Sequence, residues 1–139
     1  MTTFYQEFTV QTEGGGDITD LSESLAQLVQ TSGIRNGQAL CFVRHSTAAL
    51  TTIEHEPGLL ADMRLMFERI APCSDQYEHH KRWGDHNGHS HLLAALFGPS
   101  VGLPIVEGRL MIGTWQRPVL IDFDVAPRQR TVSVQIVGQ

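Results

Sequence analysis

Short runs of apolar residues at strand spacing occur towards both ends of the chain. In residues 4–12, Phe8 and Val10 lie two positions apart, the spacing of a half-buried strand, and glycines at 14–16 predict the turn that ends it. Six further runs of apolar and β-branched residues are bracketed by turn residues and predict strands. They cover residues 39–44, 50–53, 103–106, 109–112, 119–123 and 131–137, with Glu107–Gly108 as a tight hairpin turn.

The middle of the chain changes to helical spacing. A first helix is predicted from Asp17, as its N-cap, to Gly33, a second from Pro57 to Pro72, and a third over residues 87–97. Each helix is expected to bury one stripe of apolar side chains. The stripes are Ile18, Leu21, Leu25 and Leu28 in the first, Leu59, Met63, Met66, Phe67 and Ile70 in the second, and Leu92, Leu93 and Leu96 in the third.

Strands at both ends and helices gathered between them predict an α+β fold. No regular alternation of strand and helix is present to build a parallel sheet, so we expect a largely antiparallel β-sandwich with about three helices. Residues 73–86 are polar and aperiodic and are expected to form one long loop, a feature that is often functional in a small domain. The length of 139 residues predicts a single domain, residues 1–139.

Composition and charge narrow the class of partner. Hydrophobic residues make up 41% and charged residues 18%, which excludes disorder along the whole chain. A net charge of −5 argues against nucleic acid as the main partner. The first residues lack the features of an export signal, and the longest apolar stretch, residues 92–97, is too short to cross a bilayer. We therefore expect no membrane contacts. Cys41 and Cys73 form no C-x-x-C pair, and Cys41 lies in an apolar run, so we expect a reducing, cytoplasmic setting.

Histidines are the first candidates for chemistry. Four of the seven cluster at positions 80, 86, 89 and 91, and His45 lies at a predicted strand end. Neutral imidazoles suit a divalent metal such as zinc, with magnesium as the other candidate, so His45, His89 and His91 are candidate ligands. On a helix, His89 and His91 would point about 200° apart, so sharing one ion would need an unwound helix start. The alternative is that these histidines are solvated side chains without a ligand.

The same region also predicts a site for a small phosphorylated ligand. Asn87 suits an N-cap and Gly88 permits a close approach of the backbone, so the free N–H groups of the first turn could hold a phosphate. Arg128 and Arg130 share one face of a predicted strand and, like Arg109, could supply paired contacts to the anion. A capped helix and a solvated strand face are the alternatives.

Several motifs can then be read together in chain order. They are His45-Ser46-Thr47-Ala48-Ala49-Leu50, Glu54, Asn87-Gly88-His89-Ser90-His91-Leu92, Ser100-Val101-Gly102-Leu103-Pro104-Ile105, Gly108 and Gly113-Thr114-Trp115-Gln116. Together they resemble the YjbQ family, whose members are often labelled secondary thiamine-phosphate synthases. The similarity runs from residue 4 to residue 137, and the stretch from Ser100 to Gln116 is its most specific part.

The resemblance implies an α+β sandwich that assembles as a homotrimer with pockets between subunits. Two positions depart from the family pattern: Ile53 stands where members often have Asn, and Pro118 stands where they have an aliphatic residue. The first removes a polar contact from the implied pocket, and the second affects an edge strand. The implied pocket residues are His45, Glu54, Asn87, His91 and Gln116, with His89 as a variable addition.

The resemblance also implies an activity, a weak thiamine-phosphate synthase-like transfer. It would join a hydroxymethylpyrimidine diphosphate to a thiazole phosphate with loss of pyrophosphate. The expected catalytic residues are His45, His91 and Glu54, and the expected ligand-binding residues are Asn87, Gly88, Gln116, Arg128 and Arg130. Two alternatives stay open: a trimeric protein that binds a metal or phosphorylated ligand without turnover, and a metal-dependent hydrolase, which needs three ligands around one ion.

Overall fold

Two antiparallel sheets and four helices make up the fold. The computed structural model describes residues 1–139. Its elements in chain order are β1 (Thr2–Thr12), β2 (Asp17–Asp20), α1 (Ser22–Ser32), β3 (Gly37–Val43), β4 (Ala48–Ile53), α2 (Pro57–Ile70), α3 (Glu78–Trp83), α4 (Gly88–Phe97), β5 (Ser100–Val106), β6 (Arg109–Leu110), β7 (Arg117–Asp122) and β8 (Arg128–Gly138). The larger sheet has the order β1-β8-β3-β5-β6 and the smaller β2-β7-β4. The predicted α+β class with antiparallel sheets is confirmed.

The first and last strands pair along their whole length. Thr2 lies opposite Gly138 and Thr12 opposite Arg128, and β3 pairs with the other edge of β8. Side chains alternate between the two faces of β8. Val132, Val134 and Ile136 share one face and are fully buried, because they point towards the smaller sheet. This central strand therefore holds the two ends of the chain together.

The smaller sheet is the middle of three layers. One of its faces contributes Leu50 and Leu120 to the core shared with the larger sheet and α1. Its other face contributes Val119 and Ile121 to a second core, which also contains Phe123 just after β7 and which α2 and α4 cover. Since successive strand residues point to opposite faces, β7 is buried on both sides and its C-terminal end emerges between the two cores.

The predicted start of the first helix is wrong. Residues Asp17–Asp20 form β2, which pairs with β7 and places Ile18 opposite Ile121. The β-branched pair Ile18 and Thr19 suits a strand, and the Asp20 carboxylate accepts hydrogen bonds from the Ser22 N–H and hydroxyl where the helix begins. The sequence pattern did not predict this four-residue strand, because Ile18 happens to lie at the spacing of the apolar stripe of the following helix.

The second helix has its predicted bounds but a narrower buried face. Glu56 caps it, since its carboxylate accepts hydrogen bonds from the N–H groups of Gly58 and Leu59. Only Met63 and Phe67 of the expected stripe are buried, whereas Met66 and Ile70 are exposed. The predicted apolar stripe is therefore wider than the face of the helix that the small sheet covers.

The third predicted helix, α4, turns a different face to the core. Leu93 and Ala94 are buried, and Leu92 and Leu96 are exposed by 53% and 61%, so two of its three expected core residues are wrong. The C-terminal half of this helix has apolar residues on all sides, so the periodicity of the sequence could not show which side is buried. None of the four helices is long and apolar enough to cross a membrane.

The expected long loop contains a fourth helix. The six-residue α3 packs against the start of α4 at Gly88, where a Cβ atom would lie 2.9 Å from Cβ of Tyr77. The Tyr77 hydroxyl donates to the carbonyl of Pro72 and fixes the approach to α3. A polar helix this short carries no periodic signal, which is why the sequence predicted three helices rather than four.

Candidate functional site

A buried ion pair joins the ends of β7 and β8. The Arg130 guanidinium donates to both carboxylate oxygens of Asp122, from Nε to Oδ2 at 2.6 Å and from Nη2 to Oδ1 at 2.8 Å. The side chains are only 5% and 0% exposed. Thr12 adds a hydroxyl hydrogen bond to Asp122 Oδ2 at 2.5 Å. The two-pronged geometry and the third donor satisfy a charge that would otherwise be buried without partners.

The pair extends to a second carboxylate. Arg130 Nη2 donates to Thr47 Oγ1 at 2.7 Å, and the Thr47 hydroxyl donates to Asp124 Oδ2 at 3.1 Å. Asp124 also accepts the Val125 N–H at 2.8 Å and lies 3.2 Å from the half-exposed Arg128 guanidinium. The network therefore links β1, the turn before β4, and the ends of β7 and β8.

Hydrogen bonds keep both aspartates ionised. Burial by itself would raise the pKa of Asp122, but the hydrogen bonds from Arg130 and Thr12 outweigh it and hold that pKa below its ordinary value. Burial acts in the same way on Asp124, and hydrogen bonds from Val125, Asn87 and Thr47 outweigh it there. Both carboxylates are therefore charged, and Arg130 and Arg128 pair with them.

A pocket containing two histidines opens beside this network. His45 follows β3 and His91 comes from α4, and both line a pocket of about 260 Å³ together with Ser46 and the small residues Ala48 and Ala94. The Thr131 N–H donates to His45 Nε2 at 3.3 Å, so Nε2 is the acceptor and Nδ1 carries the proton. Burial lowers the pKa of His45, and the positive charge of Arg130 lowers it further, against the opposing effect of Asp122.

His79 of α3 lies against His91, and Asp85, which follows α3, lies beside His79. The rings of His79 and His91 have centroids 4.6 Å apart, and His79 Nδ1 lies 3.4 Å from Asp85 Oδ1. The buried Asn87 amide lies between two carboxylates. Its nitrogen reaches Asp124 Oδ1 at 3.3 Å in one orientation and Asp85 Oδ1 at 3.0 Å in the other. The sequence missed His79 and Asp85 as site residues, although it marked their segment as unusually rich in histidine.

Glu54 and Gln116 lie at the other end of the small sheet. Register places Ala48 opposite Asp122 beside the histidine pocket, whereas Ile53 lies opposite Arg117. Six residues of strand span about 17 Å, so one chain keeps Glu54 and Gln116 well away from His45. Both are exposed, and the Gln116 side chain accepts the N–H of Gly113 at 2.8 Å.

The start of α4 does not form the open cradle that the sequence predicted for phosphate. Asn87 is 6% exposed and Gly88 is buried beneath Tyr77 and His79 of the same chain. The Gly88 N–H is directed at His80 Nε2, at 3.4 Å. Gly88 thus permits a close approach of its own chain. Among the predicted arginines, Arg130 is fully engaged with Asp122, and Arg109 lies outside the histidine pocket.

The helix separates His89 from the other candidate metal ligands. His89 is 7% exposed and lines a different cavity, whereas His91 faces the pocket it shares with His45. The helix is regular from Gly88, so the unwinding that would let His89 and His91 share an ion is absent. No group of three or more His, Cys, Asp or Glu side chains is arranged to hold a metal within the chain.

Comparison with known proteins places this architecture. Residues 6–139 match the family model described as UPF0047 protein YjbQ-like. The chain belongs to the YjbQ family. A UPF0047 protein of Methanothermobacter thermautotrophicus is 34% identical over 139 residues, covering 100% of this chain and 95% of the relative. A YbjQ-like protein of unknown function from Sulfolobus solfataricus matches with a TM-score of 0.94 and 34% identity over 99% of each chain. A hypothetical protein from Aeropyrum pernix matches with a TM-score of 0.91, 34% identity and full coverage of both chains.

Membership of the YjbQ family confirms the resemblance drawn from the motifs. The His45-Ser46-Thr47 motif supplies one histidine of the pocket and one hydroxyl of the buried network. The Asn87 to Leu92 motif supplies the second histidine and the amide between the two carboxylates. In this YjbQ-family chain the two motifs therefore meet at one place in the fold.

Removing Arg130 is expected to destabilise this protein strongly. In Arg130→Met, Asp122 keeps its buried charge without its main partner, so the free energy of unfolding should fall by about 3 kcal/mol. Arg128→Met is the matched control, since its half-exposed pair with Asp124 should contribute less than about 1 kcal/mol. Urea unfolding of the three proteins measures both values, and equal losses in the two variants would contradict a special role for Arg130.

Acidification should remove the same stabilisation. Because the pKa values of Asp122 and Asp124 are lowered in the folded state, the unfolded state binds protons more readily. Their contribution is complete above the unfolded Asp pKa, about 3.9, and is lost as the pH falls through the lower folded values. Urea unfolding across this range should show the difference between wild type and Arg130→Met becoming smaller in acid. A constant difference would show that these carboxylates are not the groups concerned.

Proposed function

We propose that this YjbQ-family protein is a transferase acting on small phosphorylated molecules at the His45–His91 pocket. The proposed reaction joins a hydroxymethylpyrimidine diphosphate to a thiazole phosphate, as a weak or secondary activity. The observation that carries the proposal is the convergence of His45 and His91, from distant parts of the sequence, on one pocket beside a buried charge network. Two oriented imidazoles and the hydroxyl of Ser46 offer hydrogen-bond donors to a phosphate group.

The proposed step needs charge stabilisation more than a strong base. The bond between the pyrimidine methylene carbon and the diphosphate oxygen breaks, and its electron pair leaves with pyrophosphate. The lone pair of the thiazole nitrogen forms the new bond to that carbon. In this proposal the Nδ1–H of neutral His45 donates to the leaving group, and His91 does so from α4. Of the two arginines on β8, only Arg128 is exposed enough to neutralise ligand charge.

We propose further that the complete site forms between subunits of a homotrimer. Glu54 and Gln116 are the remaining predicted site residues, and a neighbouring subunit could bring them to the histidine pocket that their own chain keeps distant. The outer face of the larger sheet exposes Tyr5, Leu40 and Phe42 by 40% or more, an apolar surface of the kind that association covers. The free exposed thiol of Cys73 supports a cytoplasmic setting.

A metal centre fits the single chain less well. His45 and His91 provide two imidazoles, and no His, Cys, Asp or Glu in the same chain completes a set of three. A zinc or magnesium ion, and with it a metal-dependent hydrolase, would need a ligand from the substrate or from another subunit. The proposed transfer therefore uses side chains of the protein and no metal ion. Ligand binding without turnover is the alternative. Measuring substrate binding and product formation on the same protein distinguishes the two.

Loss of either pocket histidine should abolish the transfer. With the two phosphorylated precursors as substrates, His45→Gln and His91→Gln should each lower kcat by about a hundredfold or more, since each removes a donor that stabilises the leaving group. His55→Gln is the control, because His55 is exposed and lies outside the pocket. Product formation measures the rate, and calorimetry measures substrate binding. Saturable binding by the wild type without any turnover would leave a binding protein and exclude the transferase.

A site between subunits should be restored by mixing two inactive variants. His91→Gln and Glu54→Gln damage opposite sides of the proposed interface, so random mixed trimers would contain intact pockets at about a quarter of their interfaces. We expect each variant alone to be inactive and the refolded mixture to recover a corresponding fraction of activity. Recovery equal to the sum of the separate variants would contradict a shared site, while the effect of His91→Gln alone would still test the pocket.

A further inference from the structure

A second cavity lies on the opposite side of α4 from the histidine pocket. Its volume is about 200 Å³, and its lining includes His89, Phe67, Phe123, Glu68 and Arg64. No residue is shared with the lining of the His45–His91 pocket. The motifs singled out in the sequence did not predict it, because its walls come from α2, α4 and the glycine turn before β2.

The hydrogen bonds of Ser90 fix the protonation of His89. The Ser90 hydroxyl has one proton, which it donates to the carbonyl oxygen of Phe123. His89 Nε2 lies 3.2 Å from the same hydroxyl oxygen and must therefore be the donor to it. His89 Nδ1 is then an unprotonated acceptor, and it is buried with no hydrogen-bond partner. Burial also lowers the pKa of His89, which keeps the ring neutral.

Buried polar groups without partners are rare in folded proteins, so the free acceptor of His89 needs an explanation. Because His89 lines the cavity, a ligand there would lie against the ring that carries this acceptor. His89 as a whole is 7% exposed. A bound molecule with an N–H group could supply the missing hydrogen bond.

The other walls describe the body of such a molecule. Phe67 and Phe123 meet edge to face with centroids 4.9 Å apart, and Leu93 adds to the same apolar surface. Gly16 has φ +86°, and a Cβ atom there would lie 3.2 Å from the Phe67 ring, so bare backbone forms the facing wall. A flat aromatic ring suits a space bounded by ring edges and backbone. The volume is smaller than that of a pocket for a drug-sized molecule.

The charged residues of the lining balance each other. Glu68 and Arg64 are exposed residues of α2, one anionic and one cationic. Glu68 Oε2 is occupied in part by the Cys73 N–H at 3.3 Å. This lining does not favour a strongly charged ligand, and the unpartnered His89 Nδ1 can take only a hydrogen-bond donor.

We propose that this cavity binds a small, neutral, flat amino-heterocycle, whose N–H group donates to His89 Nδ1 and whose ring packs on Phe67, Phe123 and Leu93. This site is independent of the transferase pocket, since the two share no lining residue. His89 thus acts as a specificity residue for an amino group.

Aminopyrazine and methylpyrazine test this proposal as a matched pair of probes. Both are neutral rings of nearly equal size, and only the first carries an N–H donor. Titration of the full chain, followed through the NMR signals of the Leu93 and Ala71 methyl groups in the cavity, should give saturable binding of aminopyrazine. Its affinity should exceed that of methylpyrazine by about tenfold, the effect of one hydrogen bond to a buried acceptor.

Two variants assign the preference to His89. His89→Phe keeps a ring and removes the acceptor, so the two probes should bind it equally, whereas His89→Gln keeps an acceptor and should retain part of the preference. His55→Gln, far from the cavity lining, should behave as wild type. Equal binding of both probes to wild type, absence of saturable binding, or a preference unchanged in His89→Phe would each overturn the proposal. The transfer assay at the His45–His91 pocket is a separate readout, so failure of one site does not decide the other.

Discussion

The ion pair between Arg130 and Asp122 holds this molecule's two sheets and its candidate site in one arrangement. Removing both charges from water is costly, and this cost is offset by the two-pronged contact and by the hydrogen bonds of Thr47 with Arg130 and of Thr12 with Asp122. These four residues belong to β1, β7, β8 and the turn before β4. Any displacement of these strands would leave a buried charge without its hydrogen bonds, so the network fixes their relative positions.

The same network also positions residues of the histidine pocket. Thr47 is two residues from His45, and the neighbour of Arg130 on β8, Thr131, donates its N–H to the His45 ring. The Asn87 amide at the start of α4 lies between the carboxylates of Asp124 and Asp85, and His91 follows one turn later. The His45 ring is therefore held by a strand that the buried ion pair fixes in place, and His91 is carried by the helix that starts beside the network. The hydrogen bonds of Arg130 and Asp122 that stabilise the fold therefore also hold the residues of the site in position.

Local patterns in the sequence predicted much of the fold because alternation and proline boundaries report directly on a strand or helix. The strand containing Ala39 and Cys41 and the helix starting at Pro57 were found for that reason. The brief β2 and α3 were missed, because four or six residues hold too little periodicity to compete with neighbouring patterns. The motifs led to His45 and His91, but the site partner Asp85 was not foreseen, because contacts across α3 and α4 depend on packing at Gly88. That glycine was interpreted as an opening for a ligand when its space is filled by Tyr77.

Helix α4 explains how one short segment can serve two separate cavities. Its residues 89 and 91 point to different sides, and Ser90 between them is anchored to the Phe123 carbonyl in the core. Asn87, at the beginning of the same helix, is buried between the carboxylates of Asp124 and Asp85. The helix therefore cannot rotate to improve one histidine contact without breaking the anchors that position the other. A ligand of either cavity would meet a wall already held in place, and occupation of one need not distort the other, because the anchors lie on the helix between them.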